Sequence, residues 1–123
     1  SLYQIIYMSE STSPQEDNQI NEILNEARNN NQKNNISGVL FYREPMFLQV
    51  LEGEEEILKA LYSKIEKDSR HKNLSVLLSS IIEDRDFGSM HMGFQNLPTQ
   101  DPTEEEKIIE SISHSKNLRS LIK

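Results

Sequence analysis

Ile36-Ser37-Gly38-Val39-Leu40-Phe41-Tyr42-Arg43-Glu44-Pro45-Met46-Phe47-Leu48-Gln49-Val50-Leu51-Glu52-Gly53 decides the fold of this chain. Two apolar runs rich in β-formers flank a short polar break that carries Pro45, the pattern of a β-hairpin. Val39 to Tyr42 and Met46 to Leu48 do not alternate with polar residues, so both faces of both strands are expected to be covered and the hairpin to lie mid-domain. Gln49 is the exception. It shares a face with Phe47 and Leu51, and an amide enclosed there needs hydrogen-bond partners.

Working outward, Leu2 to Met8 reads as a strand with Tyr3, Ile5 and Tyr7 on one face. Ser13-Pro14-Gln15-Glu16 carries an N-cap serine, a first-turn proline and a capping-box glutamate, so a helix is expected from there. Ile20, Ile23, Leu24 and Ala27 form its buried stripe, and it ends in the asparagine run 29–35. After the hairpin, Gly53 is expected to permit a tight turn into a second helix opened by Glu54-Glu55-Glu56. Its stripe is Ile57, Leu58, Leu61, Tyr62 and Ile65, with Lys59, Lys64 and Lys67 toward solvent. Residues 67–73 read as a polar connection, Leu74 to Ile82 as a fourth strand, and a short strand is expected to include Met90, Met92 and Phe94. Alternation along that strand sends His91 to the face opposite the two methionines, which argues against a soft-metal site; no metal is expected. Residues 97–102 read as a linker, and Thr103-Glu104-Glu105-Glu106 as the start of a C-terminal helix.

The 123 residues suffice for one compact domain. Twenty acidic against thirteen basic side chains argue against a general nucleic-acid binder, which needs a basic face. No apolar window reaches membrane-spanning length. The chain has no cysteine, which removes disulfides and thiolate chemistry and is compatible with the cytoplasm; no signal peptide is seen.

Strand, helix, strand, strand, helix, strand is the βαββαβ order of the ferredoxin-like α+β class. An extra short strand and a C-terminal helix packed on the opposite sheet face complete the expectation. Right-handed crossovers are expected to set strands 1 and 3 side by side at the centre, parallel, with both helices on one face. Tyr7 and Gln49 then become neighbours beneath a groove between the helices, with the asparagines above and Arg70 and His71 at its mouth. Such a groove suits a planar heteroaromatic ligand carrying a phosphate.

In this order and spacing, six segments resemble the BLUF domains, blue-light sensors that hold a flavin on a ferredoxin-like fold. They are Ile6-Tyr7-Met8-Ser9, Ala27-Arg28-Asn29-Asn30-Asn31, Ile36 to Tyr42, Phe47 to Gly53, Asp68-Ser69-Arg70-His71 and Met90-His91-Met92-Gly93-Phe94. The resemblance implies that Tyr7 donates an electron and a proton to the excited flavin and that Gln49 is the amide between that phenol and the ring. It implies Asn31, with Asn30 beside it, at the pyrimidine edge; Ile23 and Ile65 sandwiching the ring; Phe47 lining the pocket; and Arg70 on the phosphate, with Asp68 and His71 near it. The resemblance further implies that Met92 sits on the strand that passes the change outward. The implied cofactor is FAD, with FMN or riboflavin as alternatives. Met90 stands where many members have tryptophan, and Ala27 where some have serine.

Residues 1–96 are thus expected to form the flavin-binding domain, and 97–123 a linker and a capping or partner-binding helix. Output is expected through an unidentified downstream protein or a homo-oligomer, without enzymatic turnover and without nucleic-acid or membrane partners. The competing reading is a ferredoxin-like regulatory or scaffold domain without flavin photochemistry. A phosphate-handling hydrolase ranks last, for want of a nucleophile and base pair.

Overall fold

The computed structural model describes residues 1–96, Pro14 excepted. The linker and C-terminal helix expected over 97–123 lie outside the described residues. Strand β1 (Leu2–Ser11), helix α1 (Asp17–Lys33), strands β2 (Ser37–Arg43) and β3 (Met46–Glu54), helix α2 (Glu55–Glu66), and strands β4 (His71–Ile81) and β5 (Gly93–Asn96) follow in order. They form one sheet, β4-β1-β3-β2-β5, which is the ferredoxin-like arrangement with one added edge strand.

The hairpin lies inside the sheet as its unbroken apolar runs require. Every residue of β2 and all of β3 from Phe47 to Gly53 are buried. Ile5, Tyr7, Leu40, Phe47 and Leu51 face Ile20 and Leu24 of α1 and Leu58 of α2. Ile6, Val39, Phe41, Leu48 and Val50 form a second cluster on the other face, closed by Phe87 from the loop after β4.

Strands 1 and 3 are central neighbours but antiparallel, not parallel. β2 is antiparallel to β3 as well, so β1 and β2 run the same way with β3 between them. Each crossover helix steps over one strand, and the parallel relation belongs to the pairs β1/β2 and β3/β4. Among the described strands, the one parallel neighbour pair is β2 with β5.

Several boundaries differ from the pattern reading. α1 starts at Asp17, and Glu16 rather than Ser13 precedes it, its N–H donating to Gln19 Oε1 at 2.7 Å. The preceding residues are held elsewhere: β1 continues to Ser11, whose N–H donates to the Pro45 carbonyl (2.7 Å), while Thr12 N–H donates to Arg70 O (3.1 Å). Because β1 is long, His71 and Lys72 pair with its Ser11 and Glu10, and β4 starts three residues before Leu74. Its exposed edge position tolerates their polarity. Gly53 makes no turn: it is a β3 residue, and α2 follows the strand directly. Ile57 is exposed rather than part of the α2 stripe. Met90 precedes β5 and packs on the second cluster, whereas Met92 is buried in the first. The two methionines therefore point to opposite faces, because the segment before Gly93 is loop and does not alternate. His91 Nδ1 lies 3.1 Å from the Ile36 carbonyl.

Candidate functional site

Between α1, α2 and the sheet lies a cavity of about 250 Å³. Its floor is built by strand alternation. Tyr7 and Gln49 are direct partners across β1 and β3, which sends both side chains to the helical face. The Tyr7 phenol donates to Gln49 Oε1, and Gln49 Nε2 lies 3.6 Å from Met92 Sδ. Phe47 and Leu51, two residues to either side of Gln49, complete that strip of floor.

The walls follow helical spacing. Ile23, Ala27 and Asn30 or Asn31 recur at offsets of three and four along α1, and Leu61 and Ile65 do so along α2. Asn31 Nδ2 donates to the His91 carbonyl, and one turn earlier Arg28 Nε donates to the Met92 carbonyl at 3.0 Å. The end of α1 thus grips the segment that presents Met92 to Gln49. Asn30 Oδ1 accepts from Asn34 Nδ2 at 3.1 Å.

The mouth is charged and nearly balanced. Arg70 binds Asp68 through Nε (3.0 and 3.1 Å) and Nη2 (2.7 Å), and Nη2 also reaches Glu26 at 3.1 Å. The guanidinium holds the Asp68 carboxyl below the usual range, and Asp68 raises the Arg70 pKa in turn. Lys64 lines the same mouth. His71 is turned inward. Its Nε2 donates to the Ile65 carbonyl and its Nδ1 lies 2.9 Å from Ser9 Oγ, so the ring ties the start of β4 to the end of α2. Burial pushes the Tyr7 phenol well above its ordinary pKa, with smaller contributions from Tyr62, whose ring packs edge-on at 5.4 Å, and Asp68.

The cavity brings together Tyr7, Ile23, Asn30, Asn31, Phe47, Gln49, Ile65, Asp68, Arg70 and His71, with Met92 behind Gln49. Pattern reading passed over Ser9, Glu26 and Lys64. Spacing carried a signal for one of them: Glu26 is three residues after Ile23 and four before Asn30, whereas the periodicity of α2 sends Lys64 toward solvent. A set of amides over an apolar slot, with cations at one end, fits the polar edge, flat ring and phosphate tail of a flavin.

Fold and site together describe a binding module for a planar heteroaromatic ligand, with a phenol and an amide aimed at it. A family model described as BLUF, sensors of blue light using FAD, matches residues 2–93, and the chain belongs to that family. It is 37% identical over 94 residues to photoactivated adenylate cyclase subunit beta of Euglena gracilis, covering 75% of this chain and 11% of that one. It is 33% identical over 91 residues to the blue light- and temperature-regulated antirepressor BluF of Escherichia coli, covering 74% and 23%. The chain therefore spans about a tenth and about a quarter of those two proteins. Among solved structures, a bacterial light-regulated adenylyl cyclase superposes with a TM-score of 0.79 at 32% identity, over 94% of this chain and 35% of that one. BlsA in its photo-activated state does so with 0.77 at 32%, over 91% and 79%. The described domain thus carries the fold and the candidate site of a family of blue-light sensors. Among the described residues, no helix is long and apolar enough to cross a membrane.

Proposed function

We propose that this domain holds FAD in the cavity between α1 and α2 and stores the light signal in the orientation of the Gln49 amide. The row formed by Tyr7 and Gln49 on the cavity floor and Met92 behind them carries this reading. Ile23 and Ile65 flank the ring, Asn31 and Asn30 meet its pyrimidine edge, Phe47 closes the slot, and Arg70, with Asp68 and His71 behind it, receives the phosphate. Asn31 has its nitrogen engaged by a carbonyl, so its oxygen is the end that accepts.

When bound, flavin absorbs blue light and in its excited state draws an electron and a proton from a nearby phenol, the role assigned here to Tyr7. The phenol is protonated at neutral pH, burial raising its pKa further above the ordinary 10.0, and its proton already lies on the line to Gln49 Oε1. Gln49 can exchange its ends because an amide both donates and accepts. In the resting orientation the oxygen accepts from Tyr7 while the nitrogen points at the Met92 thioether, a weak acceptor. Reversed, the nitrogen meets the phenol oxygen and the amide oxygen faces a sulfur that has nothing to donate. Met92 thus biases the resting state and registers the reversal, one residue from β5. The domain turns over no substrate; its output is a changed contact with another protein, covalently linked or separate, in the cytoplasm.

Purified protein supplied with FAD should be yellow, and blue light should move the flavin band reversibly to longer wavelength. Protein that takes up no FAD, or binds it without the shift, overturns the reading. Titration with FMN and riboflavin then reports which form is held most tightly.

A further inference from the structure

On the face of the sheet away from the cavity, β3 carries a fully buried carboxylate, Glu52. Both oxygens are saturated by four donors. Oε2 accepts from Asp86 N–H (2.7 Å) and Gln4 Nε2 (3.0 Å); Oε1 accepts from Phe87 N–H (2.9 Å) and Ser37 Oγ (3.0 Å). Arg85 adds bonds from Nη1 to Ser37 Oγ (2.9 Å) and to the Glu52 carbonyl (3.2 Å), and from Nη2 to the Asn35 carbonyl (2.7 Å). The Gln4 amide nitrogen also reaches Asp86 Oδ2 at 3.2 Å. A buried carboxylate is expensive unless its oxygens are bonded, and here two donors are successive backbone N–H groups of the loop between β4 and β5.

That loop leads to Met92. Phe87 plugs the second apolar cluster, its carbonyl accepts from Met90 N–H (3.0 Å), and the Met90 carbonyl accepts from Gly38 N–H of β2 (2.9 Å). Two residues further on, Met92 crosses to the cavity face, where α1 holds the 91 and 92 carbonyls. The segment is tied at its upstream end by Glu52 and at its downstream end by α1, with Met92 beside Gln49 on the cavity face.

We infer that Glu52 is a positioning residue for the photoreaction: by anchoring the Asp86 and Phe87 amides on the far face, it sets where Met92 stands against Gln49. A fixed upstream end forces any displacement of Met92 toward β5 instead of letting the loop absorb it. The inference rests on the proposed roles of Gln49 and Met92. Replacing Glu52 by glutamine puts a donor against donors and releases the loop end. The lit arrangement, less firmly framed, should then return to the dark state sooner.

The test is dark recovery of the flavin band in FAD-loaded protein after a blue pulse. Wild type should show the reversible shift, and Glu52→Gln should keep FAD and the shift but recover about three- to tenfold faster. Leu78→Ala, which trims the same apolar cluster from β4 and removes none of the Glu52 hydrogen bonds, serves as the control for general loosening. Recovery of Glu52→Gln within twofold of wild type, or equal acceleration in Leu78→Ala, overturns the inference while the proposed function stands. Absence of any shift in wild type sinks the proposed function itself. If Glu52→Gln does not retain FAD, Ser37→Ala, which removes one donor, decides: faster recovery supports the anchor and unchanged recovery overturns it.

Discussion

Tyr7 and Gln49 are cross-strand partners on the two central antiparallel strands, and the phenol of one donates to the amide oxygen of the other. Direct partners share a face, so the register that pairs Tyr7 with Gln49 buries both beneath the helices, whereas a one-residue slip would send Gln49 to the far face. Gln49→Leu should keep bound flavin and lose the light-induced shift, as read by absorption before and after illumination. It should also leave the Tyr7 hydroxyl buried without this acceptor, a cost of about 1–3 kcal/mol measurable by denaturant unfolding of the apoprotein. Tyr7→Phe should likewise bind flavin without the shift.

Alkaline pH should expose the burial of Tyr7. Its folded pKa lies above the ordinary value of 10.0, because burial penalises the phenolate. The folded state thus keeps a proton that the unfolded chain releases. Stability from this group is complete below about pH 10 and is lost as pH rises from there toward the folded pKa, at a slope approaching about 1.4 kcal/mol per unit. Unfolding curves at pH 9, 10 and 11 should show a steeper loss for wild type than for Tyr7→Phe. Equal slopes would contradict the burial assignment.

Arg70 shares its charge with two carboxylates, and this should set affinity for the phosphate tail. Glu26→Gln leaves Asp68 as the remaining acidic partner among those two, so FAD should bind more tightly. Arg70→Ala should weaken FAD about three- to tenfold at low salt, a modest effect because the guanidinium side chain is 44% exposed. Riboflavin, without a phosphate, should respond to neither change. Fluorescence quenching titrations of the two flavins make the comparison directly.

Gly38 should admit no side chain. A Cβ there would stand 2.0 Å from the Val50 carbonyl oxygen across the β2–β3 ladder. Gly38→Ala must push two central strands apart, and a loss of about 3 kcal/mol or more is expected from thermal or denaturant unfolding. The Met90 carbonyl bonds to the same residue's N–H, so flavin spectra of any folded fraction should also change.

Much of this architecture is legible in the chain. Unbroken apolar runs at residues 39–42 and 46–48 require strands covered on both sides, and the periodic stripes through Ile20 and Leu24 and through Leu58 require helices above one face. Gln49 stands out because an amide in such a strip has to be bonded, and the segment order brings Tyr7 close enough to bond it. These features follow from local period and burial, which residue type alone encodes.

The tertiary structure decided what local period does not contain. The antiparallel relation of β1 and β3 depends on each crossover stepping over a strand, which no single segment records. Met90 and Met92 take opposite faces because their loop does not alternate. Glu26 and Lys64 share the cavity mouth because two helices converge there. Glu52 is a carboxylate within a largely apolar strand, and its partners come from residues 4, 37, 86 and 87, far from it in the chain. Sequence sets which groups must be buried or paired; only the closed sheet, with its loops folded back across both faces, determines with whom.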